Sequence, residues 1–385
     1  VFCAHQPLQN DECRYAGYAH NLTEGFYAPA DTKMLWNGPG YPLFLSVFVF
    51  FDIPIVTAKY CNALFLLGAV LFIYGSVRVY TTEIKALLCA LLFGLYPPLL
   101  PELPRVLTES MSVFLISGLA YFTLRTIRDK RIQFLIAACL FGAYLILTKV
   151  FYAYVITAGI LCFSALSVWR QDFLRSSLIC IGCLILCLPY LIYTYSLTGK
   201  FFYWANSGGS TLYWMSSPYA NEWGDWRNEQ GAMADERYSP HHPFLKELIT
   251  KNYVERDAMF KKKALENIRQ HPQSYAINWI ANQGRFWLDY PFAYKYQRPH
   301  TLFYMVPNAL LMGAIVFTLP LLITGSRRLP AEILTLCLLA FLFIAGSSLV
   351  YSCARYLVTI VPVLLVVVFY TWTSLVTVTF RNDLR

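Results

Sequence analysis

Residues 107–131 read LTESMSVFLISGLAYFTLRTIRDKR. The run from about 107 to 126 is apolar, and a helix needs about 20 such residues to cross a bilayer. One end of the run carries a lone carboxylate, Glu109. The other carries Arg125, Arg128, Lys130 and Arg131. An apolar run flanked by basic residues on one side only predicts both a span and its direction, because short cytoplasmic links concentrate Lys and Arg.

Outward from this stretch, further apolar runs predict eight more spans: about 57–79, 84–100, 132–148, 151–169, 176–197, 301–325, 330–350 and 356–379. Every second link is basic. Arg78 and Lys85, then Arg170 and Arg175, then Arg327 and Arg328, and finally Arg381 and Arg385 fall on the side of Arg125. The opposite links hold little beyond Arg105, Lys149 and Arg355. The basic side is therefore expected to be cytoplasmic, and residues 1–56 and 198–300 extracytoplasmic. Composition agrees, with 57% hydrophobic and only 14% charged residues, where soluble domains carry about 25% charged. The net charge of +9 forms no basic stripe on a soluble domain, which argues against a nucleic-acid partner. Anionic lipid and membrane orientation account for it.

The fold class expected is an all-α polytopic membrane protein with a small extracytoplasmic α+β cap. Four regions follow: 1–56, a first external loop with a helix lying in the interface; 57–197, membrane helices; 198–300, the cap; and 301–385, the last membrane helices. Within the cap, Gly199 to Gly231 reads as extended structure. Two helices follow, about 253–270 and from Pro272 to about Asp289, the proline suiting a first helical turn.

No span carries a charge near its centre, which argues against a proton- or ion-coupled transporter. The polar chemistry gathers at the outer interface, where all six histidines fall. Eight of the eleven cysteines sit in apolar runs, where cysteine packs as a small hydrophobe; Cys180 and Cys183 are read that way rather than as a redox pair. A Cys3–Cys13 disulfide would suit an oxidising compartment. Asn21-Leu22-Thr23 is a formal glycosylation sequon. His241 and His242 are neighbours that point apart, so a loop is expected rather than a metal site. No metal ligand is assigned, and no cofactor is required, although a divalent metal is compatible.

Asp11-Glu12 places two carboxylates just outside the membrane, where partial burial raises a carboxylate toward the range of a general base. Adjacent acidic residues are otherwise ordinary solvated side chains. Glu109 at the end of its span is either an unpaired charge held for a purpose or a favourable charge at a helix N-terminus capped by Thr108. Lys149 and Arg355 are cations at outer span ends. They either snorkel to headgroups or hold a phosphate, Arg as a fork and Lys as a point charge. Lys59 and Arg105 are lesser candidates of the same kind.

Taken in order, several motifs resemble the dolichyl-phosphate-mannose–protein mannosyltransferase-like superfamily, that is, glycosyltransferase family 39 and bacterial relatives such as the lipid A aminoarabinose transferase. Asp11-Glu12-x-x-Tyr15 with Ala19, Leu22 and Gly25 is similar to the acidic motif of the first external loop. Gly38-Pro39-Gly40-Tyr41-Pro42-Leu43-Phe44-Leu45 resembles the stretch that follows it. Leu107-Thr108-Glu109-Ser110 looks like the second acidic motif, and Leu147-Thr148-Lys149 like L-T-R with Lys for Arg. Gly199-Lys200-Phe201 and Ser207 to Tyr213 resemble the segment after the sixth span. His271-Pro272-x-x-Tyr275 with Arg285-Phe286-Trp287 resembles an amphipathic helix pair, and Arg355-Tyr356 an R-Y at the last span. Pro189 to Thr194 lacks the Arg of the bacterial P-W-x-x-R-N.

The resemblance implies a GT-C fold, a further span before Val1, and an inverting glycosyltransferase. Its donor would be a polyprenyl-phosphate-linked sugar and its acceptor a lipid, glycan or protein, met at the membrane. It further implies Asp11 as base supported by Glu12 or Glu109, Lys149 and Arg355 on the donor phosphate, and Tyr15, Tyr41, Gly208, Gly209 and Tyr213 along a sugar or acceptor cleft. The bacterial inner membrane, with the site facing the periplasm, is expected over the endoplasmic reticulum. The alternatives are a non-catalytic relative, a polysaccharide polymerase or ligase, and a lipid-linked sugar transporter.

Overall fold

The computed structural model of the chain describes residues 8–293, 301–325 and 329–375. Cys3, His5 and His300, and with them the Cys3–Cys13 pairing, lie outside the described residues. In chain order the first half comprises α1 (Asp11–Thr23), α2 (Gly40–Phe50), α3 (Cys61–Arg78), α4 (Glu83–Gly94), α5 (Glu109–Asp129), α6 (Ile132–Thr148), α7 (Phe151–Ser167), α8 (Asp172–Leu186) and α9 (Leu188–Thr198). The cap holds α10 (Gly208–Met215), α11 (Glu229–Met233), α12 (His242–Leu248), α13 (Tyr253–Gln270) and α14 (Pro272–Leu288). The chain then returns through α15 (Leu302–Gly325), α16 (Ala331–Ser348), α17 (Ala354–Val358) and α18 (Val361–Leu375).

Length and apolar composition single out four membrane-crossing helices among the described residues: the stretch 55–78 that includes α3, then α5, α15 and α16. A fifth is the pair α8–α9, bent by 48° at Cys187, where Pro189 in the first turn of α9 lacks the N–H to continue the ladder of hydrogen bonds. The chain is a multi-pass integral membrane protein. Several expected spans are shorter than read. The run 84–100 is helical only to Gly94, and Pro97-Pro98 opens a tight turn to Glu102. The last run divides into α17 and α18. α6 covers the expected 132–148, and α7 ends at Ser167, two residues short of its expected end.

α5 is the hub. It packs against α3, α6, α8, α16 and α18, and small residues permit the close approach. A Cβ on Gly118 would strike the Phe141 ring, and one on Gly142 would strike Cys183 Sγ. Cys180 and Cys183 are buried free thiols that fill space between helices.

The two ends of the bundle differ in chemistry. At one end Arg78 pairs with Glu83 at 3.0 Å, Tyr80 OH donates to Glu332 at 2.8 Å, Arg128 lies over the Tyr80 ring, and Arg170 donates to the Leu329 carbonyl at 2.8 Å. The links carrying Arg78, Arg128 and Arg170 meet there, whereas Arg327, Arg328, Arg381 and Arg385 lie outside the described residues. The opposite end carries α1, the starts of α5 and α17, the end of α6, and the cap.

The regular structure of the cap is helical, joined by irregular segments at 199–207 and 216–228, and no strand occurs among the described residues, so the α+β expectation is corrected to α alone. Gly208 and Gly209, read as extended, open α10 instead. The reason is packing: a Cβ on Gly209 would collide with the Asp257 carbonyl, so only glycine lets α10 lie directly on α13. The two later helices begin as the sequence predicts, α13 behind an Asn252 cap that accepts from Val254 and Glu255 N–H at 3.0 and 3.1 Å, α14 at Pro272. Asp257 binds Gly209 N–H at 2.7 Å, Tyr203 OH at 3.1 Å and Lys261 Nζ at 2.7 Å.

Gly38 and Gly40 press the first external loop onto the end of α6. A Cβ on Gly40 would lie 2.6 Å from Thr148 N, and one on Gly38 would overlap the Leu147 carbonyl. Gly40→Ala is therefore expected to cost about 1–3 kcal/mol through forced backbone displacement. Gly17→Ala, where nothing lies within 4 Å, is expected to be neutral or slightly stabilising because alanine is the better helix former. Thermal unfolding in detergent distinguishes them; equal effects would refute the packing account.

Candidate active site

Burying a carboxylate is costly unless cations and hydrogen bonds compensate it, and Glu109, 2% exposed at the first position of α5, is the central case. Its Oε1 receives Lys149 Nζ at 3.0 Å and Arg355 Nε at 3.3 Å. Its Oε2 is buried and has no hydrogen-bond partner. Thr108 makes no side-chain cap, while Glu109 keeps its place in the first turn of α5, where a carboxylate suits the helix dipole, so that role and the ion pairs stand together.

Lys149 arrives because α6 stops at Thr148 and the chain turns extended at the next residue (φ −128°). The turn is the one on which Gly38 and Gly40 sit. The ammonium also lies 5.3 Å from the Tyr356 ring centroid, an attraction that favours a cation over the ring face. Arg355 stands on the one-turn helix α17 and is a third exposed. Its guanidinium spans two carboxylates, reaching Asp11 Oδ2 at 3.4 Å as well as Glu109.

Asp11 opens α1 and is the more exposed carboxylate, at 34%. Its Oδ1 binds Arg14 at 2.6 Å, and Arg14 in turn donates to Asn37 Oδ1 at 2.7 Å. The structure thus joins Asp11, Glu109, Lys149 and Arg355 in one linked cluster drawn from four separate elements.

Glu12 has another task. Its Oε2 accepts from the Gln9 N–H at 2.9 Å, and its Oε1 from the Val106 N–H at 2.8 Å. It is 8% exposed and ties α1 to the segment leading into Glu109. Tyr15 and Tyr41 lie beneath the cluster with ring centroids 5.3 Å apart, edge to face. Tyr15 OH accepts from Asn37 Nδ2 at 3.1 Å. Burial, then the charges of Glu109 and Asp11, push its pKa well up, so it remains a neutral phenol. Tyr41 OH is buried and has no partner.

The remaining expected residues fall elsewhere. Arg105 is exposed and pairs with Glu102 at 3.6 Å. Lys59 is 7% exposed in the turn before α3. No hydrogen bond or ion pair among the described residues joins either to the Glu109 cluster. Tyr213 is a correction: it lies in a second hydrophobic core inside the cap with Trp214, Tyr238 and Phe260. Its OH meets His241 Nδ1 at 2.6 Å, and His241 Nε2 meets Glu222 at 3.0 Å. Gly208 and Gly209 belong to the α10–α13 packing described above. Tyr213 and Gly209 line no cleft, because aromatic side chains and the α13 backbone fill the space, whereas Gly208 is exposed, with only Lys261 Cε 4.0 Å from a Cβ placed there. His241 and His242 sit at a helix junction rather than in a loop, and His242 Nε2 lies 2.9 Å from the Ala232 carbonyl. Among the described residues no three His, Cys, Asp or Glu side chains are grouped to hold a metal ion.

Residues 38–193 match the family model of dolichyl-phosphate-mannose-protein mannosyltransferase. The motif resemblance and this match coincide over that stretch, which includes Tyr41, Lys59, Arg105, Glu109 and Lys149. Asp11 and Arg355 lie outside it. Among solved structures the chain is similar to ArnT from Cupriavidus metallidurans bound to undecaprenyl phosphate. Identity is 14%, the TM-score is 0.40, and the alignment covers 97% of this chain and 74% of that one. Against the apo state of the same protein the values are 14%, 0.39, 96% and 73%. No curated protein matches the chain in sequence.

Glu102 is the titratable group that sequence reasoning missed. It is 3% exposed, and its Oε2 has no hydrogen-bond partner. Burial first, and the neighbouring Glu109 second, raise its pKa from 4.5 to about 6, against the pull of Arg355, Arg105 and Lys149. A signal existed: Glu102 is the first charge after the uncharged stretch 86–101. With its folded pKa above the unfolded value, Glu102 holds its proton longer in the folded protein. Stability is therefore complete below about pH 4.5 and declines as pH rises through about 6, by roughly 2 kcal/mol in all. Glu102→Gln is expected to remove that decline. Melting curves of both proteins between pH 4 and 7 that stay parallel would contradict it.

Proposed function

We propose that this protein transfers a sugar from a polyprenyl-phosphate donor to an acceptor hydroxyl at the extracytoplasmic face of a membrane. The observation that carries the proposal is the cluster in which Glu109 holds Lys149 and Arg355 beside Asp11. The match of residues 38–193 to a glycosyltransferase family model supports it. A donor whose tail is in lipid presents its phosphate at the interface, and there two cations at helix ends can neutralise the charge that develops as it leaves. Glu109 keeps both side chains extended toward one point. It leaves Lys149 with further N–H donors and Arg355 with further guanidinium donors for phosphate oxygens.

Asp11 is the group placed to take the acceptor's proton. The acceptor oxygen attacks the anomeric carbon, the bond from that carbon to the phosphate oxygen breaks, and polyprenyl phosphate departs with the bonding electrons. The acceptor proton passes to an Asp11 oxygen, and one displacement inverts the anomeric centre. Asp11 is the cluster carboxylate suited to this, because it is a third exposed while Glu109 is enclosed. Glu12 acts as a positioning residue through Val106. The periplasmic face of a bacterial inner membrane suits the side to which the basic links are opposed.

Asp11→Asn is expected to lower kcat at least about 100-fold, the scale of a lost general base, with little change in donor KM. Lys149→Ala and Arg355→Ala are expected to raise donor KM about tenfold or more and to lower kcat as well, as lost contacts to a leaving phosphate would. Sugar transfer in proteoliposomes supplied with a polyprenyl-phosphate sugar reads both. Full activity of Asp11→Asn would sink the base assignment. Tyr213→Phe, deep in the cap core, is expected to leave donor KM unchanged; a large rise would return Tyr213 to the donor site.

A further inference from the structure

Helix α14 presents two adjoining strips with different partners. Along one, Tyr275, Trp279 and Asn282 recur at spacings of four and three, the period that aligns side chains on a helix. All three reach the segment that joins α16 to α17. Tyr275 OH donates to the Leu349 carbonyl at 2.8 Å, and Trp279 Nε1 to Ser348 Oγ at 3.2 Å. On the adjoining strip of the helix, one turn before Asn282, Asn278 Nδ2 donates to the Met215 and Ser217 carbonyls at 3.1 and 2.8 Å. Asn278 grips the cap core, and the first strip grips the approach to Arg355.

Asn282 carries most of that second grip. It is fully buried. Its Nδ2 donates to the Ser348 carbonyl at 3.1 Å and to the Val350 carbonyl at 2.7 Å, and its Oδ1 accepts from the Ser352 N–H at 2.9 Å and from Arg285 at 3.3 Å. Both amide protons and both acceptor positions are therefore used. Three of the four partners are backbone groups of the five residues 348–352, and Ser352 precedes Arg355 by three residues. That segment has no regular structure to hold it, since α16 ends at Ser348 and α17 starts at Ala354. The backbone reaching Arg355 is set from outside, by Asn282 with three contacts and by Tyr275 with one.

We propose that Asn282 is a positioning residue for Arg355, fixing the backbone that aims the guanidinium at the donor phosphate and so coupling the cap to the phosphate grip. This rests on the role of Arg355 proposed above. Without Asn282, the Ser348 and Val350 carbonyls and the Ser352 N–H lose their partner. The segment relaxes, and the 3.3 and 3.4 Å contacts of Arg355 to Glu109 and Asp11 relax with it.

The test is a double-mutant cycle on the full chain in proteoliposomes, read as donor KM and kcat with a polyprenyl-phosphate sugar. Asn282→Ala alone is expected to raise donor KM about tenfold. In an Arg355→Ala background it is expected to add less than twofold, because the group it aims is gone. Asn278→Ala, which loosens the same helix where it meets Met215 and Ser217 instead of 348–352, is expected to multiply the Arg355→Ala defect independently if it has any effect. Tyr275→Phe loses one exposed hydrogen bond, keeps the fold, and is expected to give a smaller KM rise that likewise disappears in the Arg355→Ala background. Melting temperature in detergent identifies any variant that fails to fold, and Tyr275→Phe then carries the cycle. If Arg355→Ala itself leaves donor KM unchanged, the reading of the site fails. If Arg355→Ala raises KM but the effects of Asn282→Ala or Tyr275→Phe multiply with it, the positioning proposal alone is overturned.

Discussion

The buried carboxylate of Glu109 is the constraint on which the outer end of this protein depends. A charge that is 2% exposed at a membrane helix terminus is sustainable only with opposite charge in contact. The two cations that supply it come from α17 and from the turn after α6, at sequence separations of hundreds of residues and of forty. The remaining geometry serves that convergence. Gly38 and Gly40 allow the external loop to seat against the turn that carries Lys149. Glu12 and Asn62 fix the segment before Glu109, the latter by donating to the Leu103 and Arg105 carbonyls at 2.9 and 2.8 Å. α14 fixes the segment before Arg355.

The arrangement leaves the cluster charged but incompletely satisfied. One Glu109 oxygen, the Tyr41 hydroxyl and one Glu102 oxygen are buried without hydrogen-bond partners. Such orphaned groups are uncommon in native interiors and call for an explanation. Others lie elsewhere, among them Trp204 Nε1, Trp214 Nε1 and Asn308 Nδ2, while Ser112, Ser117 and Thr126 bind carbonyls four residues back. A polar cluster with spare capacity, at the end of an otherwise apolar bundle, is the place where a charged substrate would complete the bonding.

The cap contributes through structure rather than by lining the cluster. Its aromatic core, with Tyr213, Trp214 and His241 at its centre, makes a rigid body, and α14 transmits that rigidity to 348–352. The first external loop is bound to the same body: Asn206 exchanges hydrogen bonds with Leu35, with the Asn206 N–H donating to its carbonyl at 2.9 Å and the Leu35 N–H donating to Asn206 Oδ1 at 3.2 Å. Loop, cap and bundle thus meet the cluster from three sides.

A family resemblance, not a local rule, drew Asp11, Glu12, Glu109, Lys149 and Arg355 together as candidates. The sequence by itself determined that the chain lies in a membrane, which of its links are basic, and where α13 and α14 begin. These follow from local rules, since apolar length, charge asymmetry and helix-start chemistry act over a few residues. Only the tertiary structure decided that Glu12 and Asn282 hold backbone, that Glu102 is buried, and that Gly209 and Tyr213 pack inside the cap. It also shortened several expected spans, because a run of apolar residues reports solvent preference but not where prolines and glycines turn the chain within it. A side chain's partner depends on which distant segment packs over it, and one-dimensional periodicity carries no record of that.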